Sequence, residues 1–169
     1  MPKLNPFLGR PVRILMIEDN PGDSFLVKEA LGRARTLNEI MTIENGDEAL
    51  SFLNMSAKTN GHKPDLILLD LNLPGTDGRE VLTAIKSDPE LKRIPVVVLT
   101  TSQYDQDVIA AYDRGANAYL VKPTTLDGVL DLMRRMEDFW LSLARLPSDN
   151  CHAVEDVAAQ NDVSDDDAS

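Results

Sequence analysis

Five polar residues of this chain lie at the ends of four short apolar runs, and their types suit phosphoryl transfer. They are Glu18, Asp19, Asp70, Thr100 and Lys122. Asp70 poses the sharpest question, because it directly follows three aliphatic residues and an isolated carboxylate is costly to bury. Polar partners would remove that cost if the fold brings the five residues together.

The three carboxylates among them predict a cation site. Carboxylates held close together repel each other, so either one is protonated or a cation lies between them. Oxygen ligands without His or Cys favour Mg²⁺, which commonly binds a few carboxylates, a phosphate and several waters. With Mg²⁺, Lys122 and Thr100 around the phosphoryl oxygens, Asp70 could attack phosphorus in line. The residues therefore predict a magnesium-dependent phospho-acceptor at Asp70.

Continuous apolar runs and the amphipathic stretches between them predict the elements that position this site. The runs are typical of strands in a sheet covered on both faces, and they span residues 12–18, 39–43, 65–70, 94–100 and 118–122. The stretches between them have helical spacing, and Asn20 and Pro21 suit the start of the first helix. The order βαβαβαβαβα predicts an α/β fold, a doubly wound five-stranded parallel sheet with helices on both faces. Ligands of such sheets bind at the carboxyl ends of the strands, where the five polar residues lie.

Four fragments in order resemble the CheY-like receiver domain of two-component response regulators. They are "IEDNPGD", "LLDLNLPGTDG", "VVVLT" and "AYLVKP". The resemblance covers residues 11–146 and implies the strand order 2-1-3-4-5. The fragments "EDNPGDSFLVKEAL", "FLN", "DLNLPGTDGRE" and "FWLSLARLP" further resemble single-domain regulators that partner bacterial and cyanobacterial phytochrome kinases. A stand-alone regulator that accepts a phosphoryl group from a sensor histidine kinase is therefore implied.

The resemblance also implies a role for each metal-site residue. Asp70 would accept the phosphoryl group. Glu18 and Asp19 would hold Mg²⁺ together with Asp70 and the backbone carbonyl of Asn72.

The remaining roles concern the response to phosphorylation. Thr100 would move towards the phosphoryl group, Lys122 would pair with it, and Tyr119 would be the aromatic switch. The face formed by the fourth helix, fifth strand and fifth helix would then change. Output would follow by contact with a partner protein or by passing the phosphoryl group to a downstream phosphotransfer protein. The family also implies a cis bond between Lys122 and Pro123.

The last helix, expected from Thr125 to Leu146, has a wider apolar face than one sheet contact requires. On a wheel of 100° per residue its apolar arc is roughly 220°, about twice that of a surface helix. The residues predicted to face the sheet are Leu126, Val129, Leu130, Met133, Trp140 and Ala144. The part of the apolar arc that does not face the sheet is either covered by the N-terminal arm, residues 1–10, or forms an intermolecular surface. We favour a homodimer through Leu132, Met136, Phe139 and Leu143.

The net charge and the composition limit the kinds of partner and the location that we expect for the protein. The net charge of −11 over 169 residues argues against a nucleic-acid surface, which would be basic. No apolar run approaches the roughly 20 residues of a membrane span, and the N-terminus lacks a secretion signal, so we expect a cytoplasmic protein with no membrane contact. Residues 147–169 carry seven acidic residues and no Lys or Arg, which predicts a disordered tail or an acidic interaction segment.

Three other functions are weaker alternatives. A pseudo-receiver would bind partners without phosphorylation, and the complete acidic set argues against it. An aspartyl-phosphate hydrolase would need an acid two residues after Asp70, where this chain has Asn72. A nucleotide-binding Rossmann domain is disfavoured because no G-x-G-x-x-G motif follows the first strand. The primary hypothesis is a phospho-acceptor that is not a classical enzyme but promotes its own phosphotransfer and dephosphorylation.

Overall fold

A parallel sheet forms the centre of the computed structural model, which describes residues 1–59 and 62–148. The strands are β1 (Val12–Ile17), β2 (Asn38–Ile43), β3 (Leu66–Leu69), β4 (Val96–Thr100) and β5 (Ala118–Val121). The helices are α1 (Pro21–Gly32), α2 (Gly46–Lys58), α3 (Gly78–Ser87), α4 (Asp105–Asp113) and α5 (Leu126–Met136), followed by a π-helical segment (Glu137–Leu143). The strand order β2-β1-β3-β4-β5 confirms the predicted fold class and topology. Of the predicted tail, residues 149–169 lie outside the described residues.

Both faces of the sheet are covered, which explains why the strand sequences are continuously apolar. Every residue of β3 and β4 is buried. One apolar cluster joins the sheet to α2, α3 and α4, and a second joins it to α1 and α5. A central strand in this arrangement buries side chains on both faces, so the polar positions of an alternating pattern are missing.

The predicted start of α1 is confirmed, and the end of α4 is marked by a glycine. The side chain of Asn20 accepts a hydrogen bond from the backbone N–H of Asp23, and Pro21 is the first helical residue. Gly115 follows the end of α4 with a φ of +98°, a conformation that strains residues with a Cβ. Across residues 1–59 and 62–148, no helix combines the length and the apolar character needed to cross a bilayer.

The prediction of one regular helix to Leu146 is wrong beyond Met136. There α5 passes into the π-helical segment, and the backbone N–H of Ala144 donates to the carbonyl of Phe139, five residues earlier, at 2.7 Å. The wider turn rotates the side chains that follow it. A wheel of 100° per residue therefore misassigns the faces of this segment.

The loop between α1 and β2 holds the π-helical segment in place. The carboxylate of Glu137 is buried and accepts hydrogen bonds from the backbone N–H groups of Arg35 and Thr36. The hydroxyls of Thr36 and Ser142 lie 3.0 Å apart and form a further hydrogen bond. The change from α to π geometry thus coincides with contacts to a loop that is distant in sequence. The helical period of the sequence gives no indication of such contacts.

The four residues proposed for a dimer contact divide into two groups. Met136 is 4% exposed and packs in the cluster with α1, and Leu132 is half-buried against the same cluster. Met136 therefore belongs to the core of one chain and offers no exposed surface, because the helix turns it inwards. Phe139 and Leu143 are 49% and 71% exposed. Leu126 was expected to face the sheet but is 54% exposed.

The N-terminal arm packs against the π-helical segment. The buried side-chain amide of Asn5 donates to the carbonyl of Leu141 at 2.8 Å. The backbone of Lys3 forms an isolated parallel bridge with Thr36. The arm thus covers part of this segment, whereas the side chains of Phe139 and Leu143 remain exposed.

Candidate functional site

The candidate site lies where the carboxyl ends of four strands meet. The last residues of β1 and β3 pair in register, so Glu18 and Asp70 follow adjacent positions of neighbouring strands. On the other side β4 pairs with β5, and the backbone N–H of Lys122 donates to the carbonyl of Thr100 at 2.8 Å. Ligands of open α/β sheets bind at this edge, near the point where the strand order reverses.

The ammonium of Lys122 joins three carboxylates at the centre of the site. Its Nζ donates to Glu18 Oε2 at 2.8 Å, to Asp70 Oδ2 at 2.9 Å and to Asp23 Oδ2 at 3.0 Å. Burial lowers the pKa of Lys122, but the hydrogen bonds to Glu18, Asp70 and Asp23 outweigh it and raise the pKa above its ordinary value. The side chain is therefore charged and can neutralise part of the acidic cluster.

Asp23 is a member of this cluster that the sequence patterns did not single out. It lies in the first turn of α1, where an acidic residue is common because it interacts favourably with the helix dipole. Its position four residues after Asp19, at the end of the fragment "IEDNPGD", is the signal that the sequence offers. That signal does not distinguish a helix-end acid from a partner of Lys122.

Glu18, Asp19 and Asp70 are grouped closely enough to hold one metal ion. Each offers a carboxylate oxygen, and these atoms all lie within 4.8 Å of one another. Hard oxygen ligands of this kind suit a divalent cation. Asp19 is exposed, whereas Glu18 and Asp70 are buried, so the cluster is open on one side. The donor set therefore fits the predicted metal site.

The pKa values of the two buried carboxyls, Glu18 and Asp70, are shifted in opposite directions. The pKa of Glu18 is raised to about 7, mainly by burial and also by the neighbouring Asp70, against the lowering effect of Lys122. Burial also opposes ionisation of Asp70, but hydrogen bonds from Lys122, Glu18 and the Asn72 backbone lower the pKa of Asp70 below its ordinary value. A raised pKa of one carboxyl beside a lowered pKa of the other is the expected response of two crowded carboxylates.

The hydroxyl of Thr100 is fully buried at the end of β4. Among the residues that the structure describes, Thr100 Oγ1 and Thr42 Oγ1 are the buried side-chain oxygens with no hydrogen-bond partner. A buried hydroxyl without a partner costs about 1–3 kcal/mol. An orphaned group of this kind beside a cluster of carboxylates is consistent with a site for a further polar ligand.

The backbone around Asp70 orients its carboxylate. The N–H of Asn72 donates to Asp70 Oδ1 at 3.1 Å, so both carboxylate oxygens have a donor. A Cβ on Gly78, the first residue of α3, would lie only 2.3 Å from the carbonyl oxygen of Asp70. Gly78 therefore allows α3 to approach the acceptor loop, and the sequence patterns did not identify this requirement.

Tyr119 contacts the loop after β4 and not the carboxylates. Its hydroxyl donates to the carbonyl of Ser102 at 3.0 Å, and its ring is half-buried. Ser102 and Arg79 both donate to Asp107 on α4, and these hydrogen bonds lower the pKa of Asp107. The predicted switch residue is thus connected through one loop to the first turns of α4 and α3.

The expected cis bond between Lys122 and Pro123 is not found, because the described residues contain no cis peptide bond. The trans form is the more stable one for an X–Pro bond. In this arrangement Lys122 keeps its backbone hydrogen bond to Thr100 and its three side-chain partners.

Comparisons with known proteins agree with this site. The family model described as the response regulator receiver domain matches residues 14–134. The chain is 46% identical over 139 residues to response regulator Rcp1 of Synechocystis sp., covering 82% of this chain and 95% of Rcp1. Among solved structures, the phosphorylated cyanobacterial phytochrome response regulator RcpA is similar, with a TM-score of 0.77, 47% identity and coverage of 82% of this chain and 99% of RcpA. The structure of the Mn²⁺-bound form of Rcp1 is also similar, with a TM-score of 0.75 and 44% identity. The match covers 82% of this chain and 100% of the Rcp1 chain.

The matched range includes every residue of the acidic cluster, together with Thr100, Tyr119 and Lys122. Neither the hydrolase nor the dinucleotide-binding alternative has support from these comparisons. The fold, the strand-end site and the similarity over most of both chains lead to one conclusion. This chain belongs to the receiver domain family of two-component response regulators.

Proposed function

We propose that the chain is a stand-alone response regulator in which Asp70 accepts a phosphoryl group from a phosphohistidine of a sensor kinase. The observation that carries this proposal is the contact of 2.9 Å between Lys122 Nζ and Asp70, within a carboxylate cluster suited to a cation. The unpartnered hydroxyl of Thr100 supports it, because a phosphoryl oxygen is an acceptor for that group.

The transfer depends on an ionised Asp70. Its pKa is lowered by Lys122, Glu18 and Asn72 against the effect of burial, so the carboxylate is a nucleophile at neutral pH. One carboxylate oxygen attacks phosphorus, and the new O–P bond forms as the P–N bond to the histidine breaks. The imidazole nitrogen leaves with the electron pair of that bond.

A divalent cation, for which we propose Mg²⁺, would be held by Glu18, Asp19, Asp70 and the backbone carbonyl of Asn72 and would neutralise charge on the phosphoryl oxygens. Lys122, whose Nζ lies 2.9 Å from Asp70 Oδ2, would pair with another of these oxygens. Later hydrolysis of the acyl phosphate, promoted in the same site, would return the chain to its resting state.

The phosphoryl group would act on the structure through Thr100 and Tyr119. New oxygens beside β4 offer the buried hydroxyl of Thr100 its missing partner, so the end of β4 and the loop after it are drawn towards Asp70. Tyr119 donates to Ser102 in that loop and would therefore repack with it. The face formed by α4, β5 and α5 would carry this change to a partner.

The proposed partners follow from the relatives and from the exposed surface. Two similar solved structures are the cyanobacterial phytochrome response regulator RcpA and the bacteriophytochrome response regulator RtBRR. This similarity supports a phytochrome-type kinase as the phosphoryl donor. A downstream phosphotransfer protein is a further proposed partner, and no nucleic-acid contact is proposed. We also propose a homodimer, now limited to Phe139 and Leu143 because they are the exposed members of the predicted contact.

The proposed organisation is an arm of residues 1–10, a receiver domain of residues 11–146 and an acidic tail of residues 147–169. A cytoplasmic location is proposed with it, since a kinase-linked receiver acts where its kinase domain lies. Neither assignment affects the chemistry of the site.

Incubation with acetyl phosphate and Mg²⁺, followed by intact mass spectrometry, tests the central proposal. The native chain should gain one labile phosphoryl group, and Asp70→Asn should gain none. Glu90→Gln, a change of an exposed carboxylate on the surface, is the control and should behave as the native chain. A native chain that forms no adduct would favour the pseudo-receiver, and rapid hydrolysis of unrelated phosphate esters would favour the hydrolase.

A further inference from the structure

We propose that Asp23 is a positioning residue that competes with the phosphoryl group for Lys122 and so limits phosphorylation. The inference rests on the proposed role of Asp70 as the acceptor. Lys122 Nζ lies 3.0 Å from Asp23 Oδ2, a contact between residues 99 positions apart. This carboxylate comes from α1 and not from the end of a strand.

Asp23 differs from the other two partners of Lys122 in its surroundings. Its side chain is 37% exposed, whereas those of Glu18 and Asp70 are 2% and 8% exposed. The carboxylates grouped closely enough for a metal ion are Glu18, Asp19 and Asp70. Asp23 therefore binds the lysine at the outer side of the site without belonging to the cation cluster.

The number of hydrogen-bond donors on Lys122 places Asp23 in competition with a phosphoryl oxygen. An ammonium has three N–H groups, and the structure assigns one each to Glu18, Asp70 and Asp23. Lys122 must release one acceptor before it can donate to a phosphoryl oxygen. When a cation occupies the inner carboxylates, Asp23 is the partner that keeps Lys122 directed away from the phosphoryl group. The negative charge of Asp23 also opposes an anionic donor that approaches this side.

A small cavity lies beside the ion pair of Asp23 and Lys122. This cavity of about 20 Å³ lies between α1 and α5, lined by Asp23, Lys122 and Pro123 together with apolar side chains such as Leu26 and Val129. Its size is enough for about one water molecule. The side chains of Asp23 and Lys122 thus border a small unfilled space.

The test compares Asp23→Asn with Glu29→Gln in the full chain. The first change keeps the backbone N–H of Asp23 that donates to Asn20, and the second removes the same charge from an exposed position of α1. At saturating Mg²⁺, Asp23→Asn should form the acetyl-phosphate adduct about two- to fivefold faster than the native chain, as expected for a partly exposed ion pair. Glu29→Gln should match the native rate.

Mg²⁺ affinity, measured by calorimetry without a phosphoryl donor, supplies a second readout. Without Asp23, the ammonium of Lys122 interacts more strongly with Glu18 and Asp70, so Mg²⁺ should bind about two- to fivefold more weakly. In a Lys122→Gln background, Asp23→Asn should leave Mg²⁺ affinity unchanged. Weaker Mg²⁺ binding together with faster phosphorylation is a combination that a folding defect would not produce.

Each other outcome overturns the inference. It fails if Asp23→Asn matches the native chain, if both quantities fall, if Glu29→Gln has the same effect, or if the change in Mg²⁺ affinity persists without Lys122. These outcomes differ from failure of the proposed function, in which the native chain itself forms no adduct and the inference is lost with it.

Discussion

Lys122 and Asp70 form a hydrogen-bonded ion pair of 2.9 Å, although 52 residues separate them in the chain. Both side chains are largely buried, at 10% and 8% exposure. A buried ion pair adds little net stability, but removal of one partner leaves an uncompensated charge. The pair therefore makes the stability of the resting chain sensitive to changes at this site.

Removal of the lysine should expose that sensitivity. Lys122→Met should lower the free energy of unfolding by about 3 kcal/mol in the presence of a chelator, because Glu18 and Asp70 lose their common cation. Mg²⁺ should restore part of the loss by binding the same carboxylates. Urea denaturation with and without Mg²⁺ measures both effects. Equal stability of Lys122→Met and the native chain in chelator would show that the carboxylates do not need the lysine.

Glu18 should make the metal-free chain less stable at higher pH. Its pKa is about 7 in the folded chain against an ordinary value of 4.5, so between these values the folded state binds more protons than the unfolded state. The contribution of Glu18 to the free energy of unfolding is fully present below pH 4.5 and is lost as the pH rises through 7. The pKa of Asp70 is lowered, so Asp70 affects the stability only at a pH below the range in which Glu18 titrates.

The measurement is urea denaturation of the native chain and Glu18→Gln between pH 5 and 8, in chelator. The native chain should lose roughly 1–3 kcal/mol relative to Glu18→Gln over this range, since the variant has no carboxyl to ionise. Parallel pH profiles for the two proteins would contradict the raised pKa of Glu18.

Thr100→Val should separate phosphorylation from the conformational response. The change removes a buried hydroxyl that has no partner in the resting chain, so unfolding free energy should stay equal or rise by about 1 kcal/mol. The adduct at Asp70 should still form. Amide hydrogen exchange in residues 101–104 and in α4 should no longer change on phosphorylation.

Thr42→Val is the matched control, because Thr42 Oγ1 is the other described buried oxygen without a partner and lies in β2. It should have a similar effect on stability but keep the native exchange response. If Thr100→Val also keeps that response, Thr100 is not the link between phosphorylation and the loop.

The proposed dimer can be tested at its exposed residues. Phe139→Asp and Leu143→Asp should each yield a monomer in sedimentation analysis, because a buried charge without a partner opposes association. Met55→Asp changes an exposed apolar residue of α2 and should leave assembly unchanged. Met136→Asp should unfold the chain instead, since Met136 lies in its core. A native chain that sediments as a monomer would exclude the dimer.

The sequence alone determined the fold and the inner part of the site. Continuous apolar runs identified the five strands, and in β3 the flanking Asp65 and Asp70 limited the boundary error to one residue at each end. Because parallel strands place their carboxyl ends at one edge, the order of the strands is enough to assign Glu18, Asp70, Thr100 and Lys122 to one site. Those features depend on local pattern and on topology, and both are contained in the order of the residues.

Tertiary packing decided the rest. The contact of Asp23 with Lys122 depends on how α1 lies beside the end of β5, and the π-helical segment coincides with loop contacts to Glu137. The burial of Met136 likewise depends on the packing of α5 against α1. A sequence period describes how side chains are arranged around the axis of their own element. It carries no information on the distance between two elements, and that distance determines which of several available carboxylates contacts the lysine.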